Sequence, residues 1–174
     1  ILDVTVDIVW FKRDFRLEDH APINEVATSN NNFLGIFVIE PSRLRENDTD
    51  PIHIDWEIQC AVELQSRIRE LGGEMLILHD EIIDVFVKLS KEYQISNIYS
   101  HEEIGTEWSY RRDIQFGEWC KSRELNWKEF PTNAVVRKLN NRDNWYKIRT
   151  ERLMNDVIPA PNQLKFENKL RIDS

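Results

Sequence analysis

Five short apolar runs, each separated from the next by a stretch of helical spacing, restrict this chain more than any other feature. They cover residues 6–11, 33–39, 75–78, 95–99 and 127–130. Runs that are apolar on successive positions suit strands buried on both faces, the habit of a parallel sheet covered by helices. The intervening segments supply those helices. Asp19 stands where it can cap a first one, with Pro22 in its opening turn. Over 52–71, Trp56, Cys60, Leu64, Ile68 and Leu71 fall three or four apart and predict one apolar face. Gly72 and Gly73 then end that helix in the left-handed region. Ile82, Val85, Phe86 and Leu89 mark a helix over 81–93, and Thr106 caps another over 106–123. The order βαβαβαβαβ predicts an α/β domain: a doubly wound, five-stranded parallel sheet with helices on both faces, reached by right-handed crossovers.

After Phe130-Pro131 the character changes. Residues 137–152 carry Arg137, Lys138, Arg142, Lys147, Arg149 and Arg152 against Asp143 and Glu151. Pro159-Ala160-Pro161 and a polar tail follow. The expectation is therefore an α/β domain over 1–132, then a basic exit segment and linker over 133–174. The missing initiator Met points to a piece of a longer chain.

Charge and cysteine usage exclude several functions. A net charge of −8 argues against the domain itself gripping nucleic acid through phosphates. Cys60 and Cys120 lie on separate predicted helices, and no Cys/His ligand spacing exists, so no metal site is expected. No apolar run is long enough to cross a membrane. The opening Ile1-Leu2-Asp3 lacks the basic and apolar regions of a signal peptide. Reduced thiols and a cytoplasmic location are the expectation.

Ligands of open α/β sheets bind outside the carboxyl ends of the strands, where strand order reverses. Here those ends carry Phe11-Lys12-Arg13, Glu40-Pro41-Ser42, His79-Asp80 and His101-Glu102-Glu103. The turn after the first strand contains no glycine, and the chain has only five glycines in all, so neither a dinucleotide turn nor a P-loop is present. His101-Glu102-Glu103 reads as acceptors for a flat heteroaromatic ligand, as acid/base groups, or as a solvated loop entering a helix. His20, His53 and His79 are scattered. The alternation of charges from Lys12 to His20 suits local ion pairs that fix a long loop. Of the six tryptophans, four are expected in core packing.

The block Val9-Trp10-Phe11-Lys12-Arg13-Asp14-Phe15-Arg16-Leu17-Glu18-Asp19-His20 resembles the opening motif of DNA photolyases and cryptochromes, V-W-F followed by R-x-D-L-R-x-x-D-N. Phe15 replaces the usual Leu and His20 the usual Asn. Ile98 to Gly105, with Trp108, Tyr110, Arg112 and Asp113, is similar to the fourth strand and following helix of the cryptochrome-like bacterial branch. Phe130-Pro131 through Val136-Arg137, with Leu139, Arg142, Asp143 and Trp145, resembles its exit segment, with Ala134 where Gly is usual.

The resemblance implies a Rossmann-like N-terminal antenna domain, with no catalytic residue of its own. An antenna chromophore (folate, deazaflavin, flavin or lumazine) would contact Phe11, Lys12, Glu40, His101, Glu102 and Glu103. Arg13, Asp14, Arg16, Asp19, Arg142, Asp143 and Trp145 would hold structure and the interdomain contact. FAD and the DNA-binding cleft would belong to the chain's own C-terminal helical domain, which carries light-driven DNA repair or blue-light signalling. Two other readings stay open: a stand-alone nucleotide-binding α/β domain, and an interaction module with an empty pocket.

Overall fold

The computed structural model describes residues 5–47, 49–103, 105–131 and 158–167. Five strands, β1 (Thr5–Phe11), β2 (Asn32–Ile39), β3 (Glu74–His79), β4 (Gln94–His101) and β5 (Asn126–Phe130), form one sheet in the order β3-β2-β1-β4-β5. Every pairing is parallel. Each sequence run thus becomes a strand, extended by one or two residues at its ends.

The helices are α1 (Ala21–Ser29), α2 (Pro41–Leu44), α3 (Pro51–Glu70), α4 (Ile82–Glu92) and α5 (Glu107–Ser122). Alternation along β1 divides the core between the two faces of the sheet. Val6, Ile8 and Trp10 pack with Val85 and Phe86 of α4 and with Phe116 and Cys120 of α5. Val9 and Phe11 pack with Ile23 and Val26 of α1 and with Ala61, Leu64 and Ile68 of α3. This is the expected double winding. None of the described helices is long and apolar enough to cross a membrane.

Three local expectations need correction. The cap of α1 is His20, whose side chain accepts the Ile23 N–H, while Asp19 takes a left-handed φ of 49°. On α3 the inward face is Ile54, Glu57, Ala61, Leu64 and Ile68, and Trp56 is 59% exposed. The apolar spacing shares Leu64 and Ile68 with the true face but passes over Glu57, which is charged. The third concerns the tail, expected as linker. Residues 158–167 return over the body instead: Ile158 C=O accepts from Asp19 N–H, Leu164 N–H donates to Leu71 C=O, and Lys165 C=O accepts from Phe33 N–H. Leu164 and Phe166 are buried, at 4% and 6% exposure, in opposite face clusters. Gly72, at φ +99°, is required here, because a Cβ there would stand 2.6 Å from the Leu164 carbonyl oxygen. The basic stretch 137–152, including Arg142, Asp143 and Trp145, lies outside the described residues.

Candidate functional site

Strand order reverses at β1, with β2 on one side and β4 on the other. The register pairs Trp10 with Ser100 and Phe11 with Phe37, so the loops leaving β1, β2 and β4 converge at one carboxyl edge. Asp14 ties that edge together. One carboxylate oxygen accepts from Lys12 N–H at 2.9 Å; the other meets His20 Nε2 at 2.6 Å and His101 Nδ1 at 2.7 Å. His20 Nδ1 already accepts the Ile23 N–H, which puts the ring proton on Nε2 and makes that nitrogen a donor to Asp14. Burial pushes the Asp14 carboxyl up, but hydrogen bonds from His101 and His20 outweigh it and hold the group well below the usual carboxylate range. Burial lowers His20, against the pull of Asp14.

The ligand atoms of Asp14, His20 and His101 lie within 4.8 Å of one another, a juxtaposition that the scattered sequence positions of the histidines conceal. Their types suit a metal. The His20 tautomer does not, because the atom that would coordinate carries the proton that binds Asp14. The group is a hydrogen-bonded clamp between the β1 loop, the start of α1 and the end of β4.

Beside it runs a network of buried charges around Trp10. Lys12 Nζ donates to Asp113 at 3.0 Å and lies 4.4 Å from the Trp10 ring centre. Burial lowers the Lys12 ammonium, with Asp113 opposing. Arg112 donates to Glu40 at 2.7 Å, to Asp113 at 3.1 Å and to Glu103, and its guanidinium lies 4.7 Å from the Trp10 ring and 4.9 Å from Trp108. Desolvation would lower Arg112, but Glu103, Glu40 and Asp113 more than compensate and keep it charged. Glu40 is pushed up by burial to about 7 despite Arg112. The expected local ion pairing of residues 12–20 gives way to local hydrogen bonds and to ion pairs with distant residues. Asp14–His20 and the Arg16 bonds to Asp19 C=O are local, whereas Lys12 reaches Asp113 and Arg13 approaches Glu57 at 3.9 Å.

These groups spend their polar atoms on each other, and the open space lies just outside them. A cleft of about 330 Å³ sits between the start of α3 and the start of α5, walled by Arg13, Arg43, Trp56, Glu57, Glu103 and Trp108. A second, of about 400 Å³, lies across Trp108 and is walled by Glu40, Ser42, Glu81 and Arg112. Of the six expected chromophore contacts, Glu103 lines the first cleft and Glu40 the second. Phe11 and Lys12 are buried, and neither they nor His101 and Glu102 line either cleft. Sequence reasoning missed Trp56, Trp108 and the Arg43–Glu57 pair, whose two bonds are both 2.7 Å. The available signal was the turn chemistry around Pro41 and Asp50, which starts α2 and α3 and brings Arg43 and Trp56 to the edge.

Comparison with known proteins follows the same lines. A family model described as DNA photolyase matches residues 7–150. Deoxyribodipyrimidine photo-lyase of Synechococcus is 25% identical over 97 residues, 56% of this chain and 20% of its own. Cryptochrome DASH of Gloeobacter violaceus is 23% identical over 135 residues, 75% of this chain and 25% of its own. The match therefore spans a fifth to a quarter of those curated relatives. A cryptochrome structure from Synechocystis superposes with a TM-score of 0.78 at 16% identity, covering 99% of this chain and 39% of that one. An archaeal photolyase from Sulfolobus tokodaii, solved with two FAD molecules and an implied light-harvesting cofactor, gives 0.71 at 21% identity, covering 93% and 38%. At these identities the structures bear on the fold alone, which is the parallel α/β sheet described above.

Proposed function

This chain belongs to the DNA photolyase family, and from that premise we propose that it is an antenna-type N-terminal α/β domain. In this reading the carboxyl-edge cleft takes a flat heteroaromatic chromophore, and its excitation passes to FAD held by a helical domain outside this sequence. Repair of DNA or light signalling is the work of that helical domain, and the parent protein is cytoplasmic. The α/β unit is residues 1–132, with 133–174 leading towards the partner domain and part of it strapped to the α/β body. Arg142, Asp143 and Trp145 are proposed to make the interdomain contact.

The observation that carries this reading is the cleft between α3 and α5 at the switch point, with Trp56 exposed on its wall. A ring laid on Trp56 would gain stacking without displacing any buried ion pair. The test is the near-ultraviolet and blue absorption of the chain purified after incubation with candidate chromophores. We expect retained absorbance that falls in Trp56→Ala and in Glu103→Ala while circular dichroism stays unchanged. Equal retention in both variants would remove the assignment.

One observation favours a second reading, an interaction module with no chromophore. The position expected for the ring, between Lys12 and residues 101–103, is occupied by the ion pairs of Lys12, Asp113, Arg112 and Glu103. Failure of every chromophore to bind would favour it.

A further inference from the structure

Helix α5 buries Ser109, Asp113, Phe116 and Cys120 against the body. On its opposite side Tyr110 and Ile114 are each 43% exposed. They belong to a stripe in which Glu107, Ile114 and Lys121 recur at seven-residue intervals, the spacing by which one helix lies along another.

The stripe, read backwards, is its own complement. Seven residues before Ile114 stands Glu107, and seven after it stands Lys121. Arg111, three before, answers Glu118, four after; Tyr110, four before, answers Gly117, three after. An antiparallel copy centred on Ile114 therefore sets Glu107 against Lys121, Arg111 against Glu118 and Tyr110 against Gly117, each contact made twice by symmetry. A parallel copy would set Glu107 on Glu107 and Lys121 on Lys121. With 16 residues in α5, the outer pairs stay within reach at the shallow crossing of about 20° that such packing adopts. Within one chain Arg111 approaches Glu107 at 3.9 Å, with side chains 64% and 83% exposed, a loose contact that leaves both able to turn to another copy.

Gly117 is a separate observation. A glycine inside a helix costs stability relative to alanine. Among the described residues nothing requires it, since an added Cβ would meet only Trp127, at 3.5 and 3.8 Å, which is ordinary contact. Close approach of another molecule would require it. Beside it a groove of about 410 Å³ runs between α5 and β5, lined by Ile114, Gly117, Lys121, Leu125 and Trp127. The groove has room for the Tyr110 ring of a second copy.

We infer that the chain pairs with a second copy of itself through antiparallel α5 helices, in a two-fold dimer centred on Ile114. This pairing is independent of chromophore binding.

Sedimentation equilibrium of the 174-residue chain, from about 1 µM to about 1 mM, reads the association directly. The average mass should climb from 20.8 kDa towards twice that value. Contact along one helix face is modest, so the association should be weak and should loosen further in high salt. Ile114→Asp should weaken it about tenfold or more, because it places two carboxylates together at the centre. Arg111→Glu and Glu118→Arg should each weaken it about tenfold, since each opposes like charges twice, and the double variant should regain most of the loss. Gly117→Leu should melt no lower than the wild type yet associate more weakly. These positions all lie on the outward side of α5, so circular dichroism should stay unchanged throughout. A mass that holds at 20.8 kDa at every concentration would overturn the pairing and leave this face to a different partner. A dimer indifferent to Ile114→Asp or to Gly117→Leu would overturn it as well, as would a double charge variant no tighter than the single ones.

Discussion

Asp14 and Glu40 are both buried carboxyls at the same sheet edge, and their surroundings drive them in opposite directions. Asp14 receives three hydrogen bonds and stays ionised, while Glu40 is raised by burial to about 7 in spite of Arg112. Replacing Asp14 with Ala leaves the His20 and His101 donors buried without an acceptor. The expected loss is roughly 3 kcal/mol, read from urea unfolding. The stability Asp14 contributes is fully present above its unfolded pKa and disappears only as pH falls through its depressed folded value, so it does not disturb the neutral range. Glu40 behaves conversely. Its folded pKa of about 7 exceeds the ordinary 4.5, so between these values the folded state binds the extra proton and stability falls as pH rises. Arg112, Glu81 and the Ile82 backbone are the groups that act on it. Glu40→Gln should remove that slope. Relative to wild type the variant should gain up to about 3 kcal/mol between the two ends of the window, a change that urea midpoints across it would record. A parallel profile in both proteins would contradict the assignment.

Elements differ in how much of them the sequence carried. Strands β1 and β2 were legible because a run that is almost wholly apolar, broken in β1 by Asp7, suits a strand buried on both faces, and α4 because its buried residues are all apolar. Helix α3 was legible as a helix but not in its rotation. Its inward face includes Glu57, and the tertiary partner Arg43, with Arg13 nearby, makes a buried carboxylate acceptable there. The charged network around Trp10 was hidden for the same reason: Lys12, Glu40, Glu103, Arg112 and Asp113 come from four separate segments, and pairing across such distances leaves no local pattern. The return segment was hidden because it has just two core residues, Leu164 and Phe166, in a polar context. Its contribution is testable. Phe166→Ala should cost about 3–5 kcal/mol in unfolding free energy. Trp56→Ala, on an exposed face, should stay within about 0.5 kcal/mol. A silent Phe166→Ala would mean that the strap is not part of the stable body.

At the scale of the whole molecule, the two-sided helical cover protects the sheet and leaves its carboxyl edge as the place where polar side chains gather. The β1 and β4 loops meet there through Asp14, and α2, α3 and α5 build the cleft just outside. The family match and the shared fold agree with that arrangement. The central claim is that a ring binds in the cleft and leaves the clamp and the ion network undisturbed. A crystal structure of this chain grown with riboflavin tests it most directly. The account predicts a flavin ring lying against Trp56 between α3 and α5, with the Lys12–Asp113 and Arg112–Glu40 pairs intact. A ring inserted between Lys12 and His101 with those pairs broken, or a ring seated elsewhere on the chain, would contradict it.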